Sequence, residues 1–173
     1  MTIGQQSPAH ATPDDLFARL QALGIETKTV RHAPVFTVEE SKALRGQLPG
    51  GHCKSLFLKD KKGKFWLVVA LEDSRINLKR LAQQLGAGRL SFGKPEAMRD
   101  LLGVEPGSVT PFSVINPSAV SVQIILEERM LSQRPLHYHP LLNDQTTAIE
   151  PEDLVRFIRA CGHAPQIHAL AVS

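Results

Sequence analysis

Apolar residues recur along this chain in two rhythms, one near 3.6 residues and one near two, and the changes of rhythm mark most of the elements. Thr12-Pro13-Asp14-Asp15 supplies an N-cap, a proline at the first helical position and acids in the first turn; Leu16, Phe17, Leu20 and Leu23 follow on one face until Gly24 ends the helix. A β-like stretch covers Thr27 to Arg31, and His32-Ala33-Pro34-Val35-Phe36 is extended because a proline pushes its predecessor out of the helical region. Thr37 with Glu40 fits a capping box and predicts a helix to about Arg45. Pro49-Gly50-Gly51 breaks the chain, and a strand follows from Cys53 to Lys59, a turn at Asp60-Lys61-Lys62-Gly63, and a second strand from Phe65 to Leu71.

In the second half, Asn77 caps a helix carrying Leu78, Leu81, Ala82 and Leu85 before Gly86, and Pro95 opens another with Met98, Leu101 and Leu102 before Gly103. A polar connection from Gly103 to Pro111 leads to strands expected at Phe112 to Ile115, Val120 to Leu126, Leu136 to His139 and Thr146 to Ile149. Pro151 opens a last helix with Leu154, Phe157, Ile158 and Cys161 on one face, and Gln166 to Val172 reads as an edge strand. Helices mixed with hairpin-like strands, without regular βα alternation, predict an α+β fold: a mixed, mostly antiparallel sheet packed with helices.

The length of 173 residues suits one compact domain, expected over residues 12–173 behind a flexible stretch at residues 1–11. A composition of 42% hydrophobic and 21% charged residues excludes a disordered chain or a coiled coil. No apolar run is long enough for a membrane helix, and two cysteines cannot build a disulfide framework, so a cytoplasmic protein with no membrane partner is expected. The basic surplus is three charges, 20 Lys and Arg against 17 Asp and Glu, which permits nucleic-acid binding without requiring it.

No G-x-S-x-G, H-E-x-x-H, Walker loop or paired C-x-x-C occurs, so the chemistry rests on weaker signals. Lys54 shares a strand face with Leu56 and Leu58, and is either snorkelling at the strand end or held in a cleft for an anion. The loop from Gly107 to Pro111 is either a plain connection or a place where amides near Gly107 and Ser108 meet an oxyanion or phosphate. His137 and His139 point the same way from one strand, which suits either a metal or one cleft-lining and one exposed histidine. His52 and Cys53 are sequence neighbours on a strand and point apart, against a nucleophilic pair, and Cys161 belongs to a core stripe. The four lysines between Lys59 and Lys64 make a solvated turn that can touch phosphates.

Several segments, in this order and spacing, resemble the freestanding prolyl-tRNA editing proteins, the YbaK-like relatives of the editing insertion in bacterial prolyl-tRNA synthetase. They are residues 32–36, 49–60, 88–93, 107–111 and 139–144, and the nearest likeness is to the branch that removes alanine from mischarged proline tRNA. The resemblance implies a deacylase for the ester at the tRNA 3′ end, with the aminoacyl-tRNA as partner and prolyl-tRNA synthetase as a second possible one. It implies that Lys54 holds the terminal nucleotide and that Gly107 and Ser108 open a G-x-x-x-P loop, with Thr110 and Pro111 on the substrate side. His139 is then at the pocket, Phe36 and Thr37 form its wall, and neither metal nor other cofactor is needed, because the substrate's 2′-hydroxyl helps position water. Ser55 stands where many alanine-removing relatives have asparagine, a shorter reach that keeps cysteine and 2-aminobutyrate open as substrates. A tRNA-end binding module without turnover, and a metal hydrolase built on His137 and His139, are the readings from other classes.

Overall fold

The computed structural model describes residues 10–34 and 48–170. The helix expected at Thr37 to Arg45 lies outside them, as do residues 1–9 of the N-terminal stretch. Ala11 is tied down, its N–H donating to the Asn116 side chain at 2.8 Å.

Helix α1 (Pro13–Ala22) starts where the cap signal put it: the Thr12 hydroxyl accepts from the Asp15 N–H, and the Asp15 carboxylate accepts from the Thr12 N–H. Among the described residues eight strands follow as β1 (Lys28–Arg31), β2 (Gly51–Asp60), β3 (Phe65–Leu71), β4 (Leu90–Phe92), β5 (Gln123–Glu127), β6 (Leu136–Tyr138), β7 (Gln145–Ile149) and β8 (Gln166–His168). They form one mixed sheet in the order β1-β7-β6-β2-β3-β5-β8, with β4 added to β2. The pairs β1/β7, β2/β3, β2/β4 and β6/β7 are antiparallel; β2/β6, β3/β5 and β5/β8 are parallel. The expected α+β class with a mixed, mostly antiparallel sheet is therefore what the chain adopts.

Alternation along β2 and β3 divides the core in two. Phe57, Leu67 and Val69 face one layer, closed by Leu16 and Leu20 of α1 and by Leu154, Phe157 and Ile158 of the last helix (Pro151–Ala160). Leu58, Trp66, Val68 and Ala70 face the other, covered by Leu81 and Ala82 of the helix Leu78–Leu85, which runs from its Asn77 cap to a left-handed Gly86. The hairpin turn is organised by Asp60, whose carboxylate accepts from the N–H groups of Lys62 and Lys64 and from the Trp66 indole.

Three expectations are corrected. Residues Pro111–Ile115 form a 3-10 helix instead of a strand, because Thr110 caps it and Pro111 presets its first turn. The strand expected from Val120 begins at Gln123, since Pro117–Ala119 makes a second 3-10 turn. The helix opened by Pro95 is one α-turn, Pro95–Ala97, passing into a π-type turn, Met98–Leu102, closed by left-handed Gly103.

Phe112 sits in the first of these layers, meeting Tyr138 and Phe157 edge-on at 5.9 and 5.6 Å between ring centres, and is fully buried. Replacing Phe112 by Ala should cost about 3–5 kcal/mol in a urea unfolding curve, because the cavity lies between three elements. Phe92→Ala, at a side chain 65% exposed, should leave the midpoint nearly unchanged. Equal shifts for the two variants would contradict this assignment of the core.

Candidate functional site

The longest strand, β2, meets two partners on one edge and leaves a gap between them. Its start pairs with β6 through Gly51 and His52, and its end pairs with β4 through Leu58, Lys59 and Asp60. Between His52 and Leu58 no strand among the described residues pairs with that edge. On the opposite edge, the Glu72 N–H donates to the His52 carbonyl and the Asp60 N–H to the Lys64 carbonyl. Antiparallel alternation then turns the backbone groups of Lys54 and Leu56 toward β3, and those of Cys53, Ser55 and Phe57 toward the gap. The Phe57 carbonyl is taken by the Gly93 N–H, at the far margin.

A cavity of about 260 Å³ opens at this gap, with His52, Cys53, Lys54 and Ser55 on its strand side. Gly107 and Val109 come from the loop opposite, His137, Tyr138 and His139 from β6 and just beyond it, and Glu72 and Thr146 complete the wall. Lys54 lines the cleft from the face it shares with Leu56 and Leu58, and its ammonium donates to the Ser74 carbonyl. Gly107 is exposed and held at φ 91°, in the left-handed region that favours glycine. Ser108 is buried behind it, and its N–H already donates to the Glu105 carbonyl at 3.0 Å. Thr110 and Pro111 are also buried, shaping the loop from behind, with the Thr110 hydroxyl accepting from the Phe112 N–H. The loop therefore offers the cleft Gly107 and Val109, while Ser108, Thr110 and Pro111 hold them in place. Phe36 and Thr37 lie outside the described residues.

Both histidines of the 137/139 pair line the cavity, so the expectation of one exposed histidine is replaced by two inward ones. His139 places Nδ1 3.1 Å from the Gln145 carbonyl. A carbonyl only accepts, so Nδ1 carries the proton and Nε2 of the neutral ring is left as an acceptor. His137 uses Nε2 in the same way on the Pro49 carbonyl at 2.8 Å and stacks on His52 at 4.6 Å between ring centres. Burial lowers the pKa of both rings, outweighing the carbonyl contacts, and the neighbouring His52 and His32 add to the lowering.

Burial pushes the Cys53 thiol up to about 12, which removes it as a thiolate nucleophile at neutral pH. Among the described residues no three His, Cys, Asp or Glu side chains converge as a metal-binding group. No helix among them is long and apolar enough to cross a membrane. Sequence reasoning missed three cavity residues: Tyr138 and Thr146, brought beside β2 by the β2–β6 and β6–β7 pairings of residues far apart in the chain, and Glu72, which the β2–β3 hairpin sets opposite His52.

Residues 32–157 match the model of the aminoacyl-tRNA editing domain. The chain is 41% identical over 158 residues to the mouse prolyl-tRNA synthetase associated domain-containing protein 1, covering 88% of this chain and 93% of that protein. It is 32% identical to the prolyl-tRNA editing protein ProX of Acetoanaerobium sticklandii, covering 86% and 91%. A solved structure described as a candidate trans-editing enzyme for prolyl-tRNA synthetase superposes with a TM-score of 0.73 at 22% identity, covering 98% of this chain and all of the other, a likeness of fold.

The lowered histidine pKa values carry a prediction for stability. An unfolded histidine, at about 6.5, binds protons that the folded His137 and His139 refuse. Their contribution is present above pH 6.5 and is lost as the pH falls below it toward the lowered folded values; His163 titrates in the same direction. The melting temperature should fall between pH 7.5 and 5.5, and less steeply in a His137→Asn/His139→Asn variant. Identical slopes would show that these rings do not carry the effect.

Proposed function

This chain belongs to the aminoacyl-tRNA editing domain family, and on that premise we propose that it is a trans-editing hydrolase that deacylates alanyl-tRNA for proline and spares prolyl-tRNA. The observation that carries the proposal is the cleft itself, where Lys54, Gly107 and His139 converge on a cavity of about 260 Å³, a volume for a small aminoacyl group at the end of a longer ligand.

In this reading the terminal nucleotide lies along the open edge of β2, with Lys54 on its phosphate as a point charge. The backbone at Gly107 approaches the ester closely, since no Cβ intervenes there, and it stabilises charge developing on the carbonyl oxygen. Water adds to the carbonyl carbon, the bond to the ribose oxygen breaks, and that oxygen takes a proton, giving free alanine and a free tRNA 3′ end. The neutral His139, with Nε2 as an acceptor, orients the water or the neighbouring 2′-hydroxyl of the substrate. The inert Cys53 thiol and the absence of a serine or cysteine nucleophile signature agree with direct attack by water. Positioning of an activated ester supplies several kcal/mol of the barrier.

The selection is steric. A synthetase site shaped for proline loses only about 1–3 kcal/mol of discrimination for each missing methylene, so alanine enters it. A second, smaller pocket rejects the larger ring. Ser55, facing the gap with its backbone, keeps cysteine and 2-aminobutyrate as competing substrates of the same chemistry. The partners are then the 3′ end of tRNA for proline and, as a source of mischarged tRNA, prolyl-tRNA synthetase, in a cytoplasmic setting with no added cofactor.

A panel of proline tRNAs charged with alanine, cysteine, serine, 2-aminobutyrate and proline decides among these. Alanine should be released fastest and proline should stay bound, with Lys54→Ala slower by about 10²-fold or more. Equal hydrolysis of the alanine and proline esters would remove the steric sieve, binding without turnover would leave a tRNA-end binding module, and full activity of Lys54→Ala would take the lysine out of the mechanism.

A further inference from the structure

Glu127, at the end of β5, is a carboxylate only 3% exposed, outside the residues that line the cleft. Burying such a charge is costly unless its oxygens are met by donors. Here they are met by one short stretch of chain, the turn that leaves β3. Oε1 accepts from the Leu71 N–H at 2.9 Å, and the Ser74 hydroxyl sits 2.9 and 2.7 Å from the two oxygens. Arg129 donates to the same hydroxyl at 2.7 Å and to Asp73 at 2.9 Å, with its Nε 4.0 Å from Glu127.

The Ser74 side chain is therefore engaged in both its capacities, accepting from Arg129 and donating to Glu127. The same buried residue presents its carbonyl to the Lys54 ammonium. A lysine carries its charge on a flexible four-carbon stem, and fixing one of its three N–H donors on a rigid carbonyl holds the ammonium in one place and leaves two donors for a ligand. The buried side chain of Glu127 meets both the Leu71 N–H and the Ser74 hydroxyl, and so fixes the turn that carries the carbonyl facing Lys54.

We propose that Glu127, with Ser74 and Arg129, is a positioning network for the Lys54 ammonium, setting where the charged end of the substrate is held. This rests on the reading of Lys54 as the substrate's anchor. Glu127 and Arg129 act through Ser74 and touch no substrate.

A double-mutant cycle on kcat/KM for alanyl-tRNA tests it, using Glu127→Gln, Ser74→Ala and Lys54→Ala. Glu127→Gln should lower kcat/KM about tenfold, mainly through KM, in the natural background, and change it less than about twofold when Lys54 is already Ala. Equal losses in both backgrounds, or no loss in the first, would overturn the proposal. Ser74→Ala, a small truncation, gives the same comparison should Glu127→Gln fold poorly.

A second readout does not depend on activity. Acylation of lysine amines by an amine-reactive ester, followed by peptide mass spectrometry, should show Lys54 modified several-fold faster in Glu127→Gln and Ser74→Ala, with Lys61 and Lys94 unchanged. An unchanged Lys54 rate would overturn the proposal even where Lys54→Ala has no effect on deacylation; that latter result alone would instead refute the functional reading.

Discussion

The structure turns on how one strand shares its edge. A β-strand must satisfy its backbone groups on both sides, and β2 does so along its inner edge with the whole of β3. On its outer edge it spends two residues on β6 in parallel and three on β4 in antiparallel, and no strand among the described residues pairs with the interval, which faces the cleft. An unpaired strand interval is a hazard when it faces bulk solvent, since any other chain can pair with it. Here it faces the Gly107 loop and the β6 histidines across the cavity, and its backbone groups form one wall of that cavity. Within that interval the pleat directs the adjacent side chains of Lys54 and Ser55 to opposite faces. One residue thus supplies a cation from the side packed by the helix Leu78–Leu85, and the next a hydroxyl on the other.

The electrostatics follow from the same arrangement. The cleft is lined by Lys54, the Glu72 carboxylate, a protonated Cys53 thiol and the His137 and His139 rings, whose burial disfavours their charged form; it is not a strongly basic surface. A net charge of +3 agrees with a ligand that is recognised at one end by a single placed ammonium and not along its length by a positive field. The buried side chain of Glu127 bonds the hydroxyl of Ser74, the residue whose carbonyl accepts from Lys54, and lies outside the residues that line the cleft.

Much of this was legible in the sequence where the signal is local. The Thr12 and Asn77 caps, the Gly50-Gly51 break, the β2–β3 hairpin and the face shared by Lys54, Leu56 and Leu58 all depend on neighbours within a few positions. What was hidden depends on long-range pairing. Phe112 to Ile115 has the β-branched and aromatic content of a strand, yet packing of Phe112 between Tyr138 and Phe157, with Pro111 ahead of it, holds it as a 3-10 helix. Strand β4 is three residues long and has no period to read. Glu127 left one faint sign, an acid closing the apolar run Ile124-Ile125-Leu126, but its partners Leu71 and Ser74 are more than 50 positions away. The inward turn of both His137 and His139 likewise follows from the β2–β6 contact, which periodicity does not encode.

The most direct test of the central claim is a crystal structure of the protein with a non-hydrolysable amide analogue of 3′-alanyl-adenosine monophosphate. The account predicts the phosphate on Lys54, the aminoacyl carbonyl against Gly107 and the alanyl group inside the β2 gap beside His139. An analogue bound elsewhere, for example in the groove between α1 and β1, or a phosphate that leaves Lys54 on Ser74 alone, would contradict it.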